Sequence, residues 1–156
     1  MGVLWSLRGV RIIVYSLEDA RVALRAAAAA EASALHLVSP PGAACYSGVA
    51  WFLALISAAI RDISPPPVFS AFLDCGDQPG VVLNALRVGA RALIFTGPCR
   101  QAERLVAVAV ARNARILTAT GPTLDLRGRR DAAVFCRRQL EKLERSRDEF
   151  LVVEGS

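Results

Sequence analysis

Apolar runs and helical patterns alternate along the chain. β-branched or aliphatic runs occupy 10–15, 34–38, 68–73, 92–95 and 115–118. Each ends in a cluster of Ser, Thr, Gly, Pro, Asp or Cys. Apolar residues at helical spacing then fill 17–31, 48–61, 79–88, 98–112 and 129–148. Such repetition predicts parallel strands joined by crossover helices. Near-continuous apolar strands agree with a covered parallel sheet.

The pattern predicts a single α/β domain over 1–156, an open parallel sheet of about five strands with helices on both faces, in the manner of flavodoxin and Rossmann folds. The alternative is a half (β/α) barrel, because five βα units are too few to close eight strands. Residues 1–9 read as an N-terminal extension and 149–156 as a C-terminal tail. Within the tail, Phe150–Val153 is strand-like and suited to extending an edge. Ser64-Pro65-Pro66-Pro67 stops the second helix, and Gly89 ends the third as a C′ glycine. The helix 48–61 is apolar almost all round, so its second side must be buried too. A central helix wedged between neighbours meets that need, and so does the interface of a homodimer.

The hydrophobic share is 54% and the mean hydropathy +0.39, high values that buried strands and an oligomer interface both raise. The most apolar stretch, Val49–Ile60, has 12 residues, against the roughly 20 needed to cross a bilayer. No membrane partner is therefore expected. The N-terminus lacks the charged region and cleavage site of a secretory signal. A cytoplasmic location with reduced thiols follows as the expectation. Net charge is +5, and residues 127–147 carry all of the excess, with eight basic and three acidic side chains. Acids interleave there and no aromatic platform accompanies them, so a solvated helix face is expected and not a nucleic-acid surface. One Lys among 19 basic residues, beside abundant Ala, reads as codon bias.

In open parallel sheets, ligands bind beyond the carboxyl ends of the strands. The candidate residues are therefore those that end the runs. Thr96-Gly97-Pro98-Cys99-Arg100 and Thr120-Gly121-Pro122 repeat one turn, 24 residues apart. A Gly-Pro helix start leaves N–H groups without a side-chain acceptor at the positive end of the helix dipole. That arrangement favours a phosphate or carboxylate, and Arg100 can add charge-assisted hydrogen bonds. Thr-Gly-Pro is also an economical turn in its own right.

Asp74 ends the central run and is the candidate acid–base group. Asp77 is suited to capping the helix at 79–88 or to lining the site. Ser16 and Ser39 end the first two runs and would line the cleft. The loop 39–48 is longer than usual, so Tyr46 between Gly42 and Gly48 can stack on a ligand or pack on the protein. Cys45, Cys75 and Cys99 fall in the same loops, but no CxxC and no neighbouring histidine give them metal-ligand spacing. His36, the one histidine, lies inside a strand and reads as a packed residue. No GxGxxG, Walker A or G-x-S-x-G sequence occurs, and the sequence names no cofactor.

Two resemblances bear on these residues. Ala85–Gly97, reading ALRVGARALIFTG, is similar to a late βα unit of phosphate-binding (β/α) barrels, over about a tenth of the chain. It implies that consecutive late loops hold a phosphate. Glu18 and Asp19, Asp74, Thr96 and a final amphipathic helix resemble response-regulator receiver domains. The chain departs from that family in lacking its lysine after the fifth strand, since Lys142 is the only one. The segment between the second and third strands is also longer. The resemblance then implies a degenerate signalling or scaffold module. The first expectation remains a small-anion site, possible in a lyase or isomerase.

Overall fold

The fold comes from a computed structural model and is described for residues 9–119 and 121–154. The strands are β1 (Val10–Ile13), β2 (Leu35–Val38), β3 (Phe69–Asp74), β4 (Ala92–Ile94), β5 (Arg115–Leu117) and β6 (Leu124–Asp125). The helices are α1 (Leu17–Ala29), α2 (Ala43–Tyr46), α3 (Val49–Ile60), α4 (Pro79–Val88), α5 (Cys99–Val110) and α6 (Ala132–Glu154). All strands run parallel in the order β5-β4-β3-β2-β1-β6. This is the open α/β sheet expected.

The strands of this open sheet follow the chain in order from β1 to β5, each beside its predecessor, with no reversal of direction. Right-handed crossovers then place every connecting helix on one face. Packing agrees. Ile12, Leu35, Leu37, Leu73 and Leu93 form one core with residues of all six helices. On the opposite face Val38, Phe72 and Ile94 make a second cluster with Ala92 and Leu117, strand residues alone. The helices expected on that face are not found among the described residues.

The helix-free face is nonetheless buried: Phe72 and Ile94 are 0% exposed. Curling of the sheet would account for it, and the reach of the chain argues for such curling. Residues 118–123 carry the chain from β5 at one edge to β6 at the other. Five strand spacings span about 24 Å on a flat sheet. Seven residue steps reach about 25 Å only when fully extended. Gly121, at φ +63°, is not extended. A flat sheet is thus nearly out of reach, and a curled one is not.

Three local differences from expectation have physical causes. A one-turn helix, α2, forms inside the long loop, where Gly42 enters it at φ +66°. β6 has two residues, too few to show a period, and was not expected. Phe150–Val153 is not a strand: α6 continues to Glu154, and a helix already propagating needs no new nucleus to absorb a few β-branched residues. The Gly89 C′ residue is as expected, at φ +116° with its N–H on the Ala85 carbonyl. On α3 the exposed residues are Ala50, Ala54 and Ser57, while Trp51, Leu53, Ile56 and Ile60 pack against the core. Its all-round apolar character is that of a helix wedged among its own neighbours.

Candidate functional site

The carboxyl rim divides into two halves. Over β1 to β3, polar groups are taken up by the chain itself. Ser16 is the N-cap of α1, its hydroxyl accepting from the Asp19 N–H at 3.2 Å while Asp19 accepts from the Ser16 N–H. Asp74 is 3% exposed, and its Oδ1 accepts from the N–H groups of Gly42 (2.9 Å) and Gly76 (2.8 Å). The Asp74 N–H donates to the Ser39 hydroxyl at 2.9 Å, and Ser39 donates to the Pro40 carbonyl at 3.1 Å. One carboxylate and one hydroxyl so tie the loop after β2 to the loop after β3. Burial lifts the adjacent Cys75 thiol to about 12, with the Asp74 charge adding to the effect. Cys45 donates its thiol to the Cys75 carbonyl at 3.7 Å.

Tyr46 ends α2 and is 67% exposed, so it does not pack on the protein. Asp77 does not cap α4. Gln78 occupies the N-cap position without a side-chain bond, and Asp77 instead accepts from the Gln78 amide at 2.8 Å. Pro79 stands in the first turn as expected.

Over β4 and β5 the rim is differently built. Thr96 is exposed and its N–H donates to the Gly76 carbonyl at 2.9 Å. Gly97 is followed by Pro98, which is the N-cap of α5 in place of the glycine. The glycine has a packing reason: a Cβ there would strike the Phe95 ring, which is fully buried. α5 starts with no side-chain cap and no acid in its first turn, and Arg100 is exposed there. Gly121 starts no helix. Gly121-Pro122 leads into β6, and a Cβ on Gly121 would strike the Arg11 guanidinium. Two matched Gly-Pro helix starts were expected, and one is found. Thr120 lies outside the described residues.

One rim cluster escaped sequence reading. The Tyr15 hydroxyl donates to Asp125 Oδ2 at 3.1 Å, and Arg127 clamps the same carboxylate, with Nη2 2.8 Å from Oδ2. The Arg127 guanidinium lies 4.1 Å from the centre of the Tyr15 ring. The Arg127 hydrogen bonds hold the Asp125 carboxyl below its ordinary range. Partial burial, then the bond to Asp125, raises the Tyr15 phenol. The signal available was the Asp-x-Arg spacing that begins at the second residue of β6, unreadable without knowing that β6 exists.

His36 is 7% exposed and meets the Phe72 ring edge-on at 5.9 Å, a packed strand residue. No group of three or more His, Cys, Asp and Glu side chains able to hold a metal ion occurs among the described residues. No helix among them is long and apolar enough to cross a membrane. The receiver resemblance implies a doubly wound sheet of order 2-1-3-4-5. The order found here, β5-β4-β3-β2-β1-β6, differs from that one. A scan against protein-family models finds no match for the chain, and a search of curated proteins finds none either.

Proposed function

We propose that the chain binds a small phosphate- or carboxylate-bearing molecule at the β4–β5 half of the carboxyl rim. The observation that carries the reading is the start of α5. Its first N–H groups have no side-chain acceptor, its first turn carries Arg100 and no acid, and Glu103 follows one turn on, accepting from the Cys99 thiol at 3.8 Å. An anion is the ligand for which such a helix start is built. Thr96 and Gly97 form the adjoining wall. Tyr46, 67% exposed at the end of α2, is free to stack on a ligand at the rim.

Binding is favoured over turnover as the activity. A lyase or isomerase needs an acid–base group beside the anion. Asp74 is the candidate, and its Oδ1 already serves two backbone donors. Thermal unfolding in phosphate, sulfate or ribose 5-phosphate, against chloride at equal ionic strength, tests the reading. The melting temperature should rise with phosphate. Arg100→Gln should weaken the effect about tenfold in apparent affinity, the scale of one charge-assisted pair. No rise with any of the three anions ends the reading. So does an equal rise in Arg100→Gln.

A further inference from the structure

We infer a second anion site at the opposite, amino edge of the sheet, one that takes a small organic phosphate. It does not depend on the rim. β3 pairs with β2 from Phe69 to Phe72 but with β4 only at Leu73 and Asp74. The two strands therefore part towards their amino ends. The gap is an open groove of about 420 Å³, within the size range of small-molecule sites.

Its polar lining consists of Ser70, Arg91, Asn113 and Arg115, with no carboxylate among the lining residues. Arg91 immediately precedes β4 and Arg115 begins β5, the Arg115 N–H donating to the Arg91 carbonyl at 2.8 Å. Neither forms an ion pair among the described residues. Arg91 donates to the Ala90 carbonyl at 3.3 Å and Arg115 reaches Ser70, so both guanidiniums border the groove without a carboxylate, and a phosphate in it would supply the missing counter-charge.

Arg115 is already fixed in place. It reaches across the gap to donate to the Ser70 hydroxyl at 3.0 Å, with its guanidinium 5.7 Å from the centre of the Phe72 ring. A donor held before the ligand arrives loses little freedom on binding. Leu53 and Phe69 supply an apolar wall. Inorganic phosphate would leave that wall bare, so the fitting ligand is a phosphate ester with an organic body the size of a nucleoside or smaller.

Titration calorimetry of the full chain with AMP and ribose 5-phosphate tests this, with adenosine as the uncharged control. At least one of the two phosphates should bind at millimolar concentration or below, and adenosine should not. Arg91→Gln and Arg115→Gln should each weaken binding about tenfold, and Arg100→Gln less than about twofold. Arg115→Lys keeps the charge over Phe72 and should stay within about threefold of the parent, which separates loss of the site from loss of the fold. Absence of saturable binding by both phosphates overturns the inference. So does binding that survives both glutamine variants, that adenosine matches, or that Arg100→Gln abolishes. The last result would place the ligand at the rim and leave the proposed function standing.

Discussion

α1 and α5 begin at the same edge of one sheet and are finished in opposite ways. At α1 the Ser16 hydroxyl takes the Asp19 N–H, and the Asp19 carboxylate takes the N–H groups of Ser16 and Tyr15, each at 3.0 Å. Glu18 and Asp19 also complement the dipole. At α5 there is no cap, no acid, and an arginine. α2, α3 and α4 also begin without a side-chain cap or an acid, and what sets α5 apart from them is Arg100 in its first turn. The same contrast runs along the rim: Asp74 and Ser39 close its first half upon the protein, while Gly97–Arg100 leave the second half to solvent.

If the first half is structural, its loss should show as instability. Asp74→Ala strands the Gly42 and Gly76 donors beside a buried position. We expect a cost of about 3 kcal/mol, or a fall in melting temperature of roughly 6–12 °C. Asp74→Asn keeps an oxygen acceptor and should lose less than half as much. Calorimetric melting of both variants checks the pair. An Asp74→Asn protein of parental stability that no longer binds phosphate would reverse the assignment of the two halves.

A smaller effect follows from Cys75, which lies in the closed half. Its thiol titrates near 9.0 when exposed and near 12 in the folded chain. The folded state thus holds the proton more tightly. The resulting stability is complete below pH 9 and is lost as pH rises from 9 towards 12. By pH 10 the loss should be about 1 kcal/mol. Urea unfolding at pH 8 and 10 measures it, with Cys75→Ala as the control for other groups that titrate there. Equal pH dependence in the two proteins would mean that water reaches the closed half. Cys99, exposed at the start of α5, should react with iodoacetamide in the folded protein at pH 8, and Cys75 should not.

The strands and helices were legible because each is long enough to show its period, and β1 to β5 and their helices lie close to the expected spans. The winding was not. Alternating β and α patterns are common to sheets that reverse and sheets that do not, and only the pairing of β6 with β1 reveals that the chain returns from one edge of the sheet to the other. The candidate site was half legible. Spacing marks Gly97-Pro98 as the start of a helix with Arg100 in its first turn, whereas Gly121-Pro122 has the same letters and starts no helix. Its glycine makes room for Arg11, a partner 110 positions away. Asp74 was found as a strand-end carboxylate, but its engagement with Gly42 depends on where the loop after β2 folds. Tyr15, Asp125 and Arg127 meet only because two distant strands pair.

The most delicate prediction finishes α5 as α1 is finished. Pro98→Asp places a carboxylate at the N-cap, where the backbone, at φ −56° and ψ 140°, is already non-helical. Capping should add about 1 kcal/mol. Removing the proline frees the unfolded chain, which costs about 0.4–1 kcal/mol. The two nearly cancel, so melting without ligand should move by no more than a degree or two. Phosphate should no longer raise it, because the introduced carboxylate occupies the N–H groups and repels the anion. Stabilisation by phosphate that persists in Pro98→Asp would show that the start of α5 is a turn and nothing more. A variant that keeps its stability while losing the response to phosphate would show that this helix was left unsealed for a ligand.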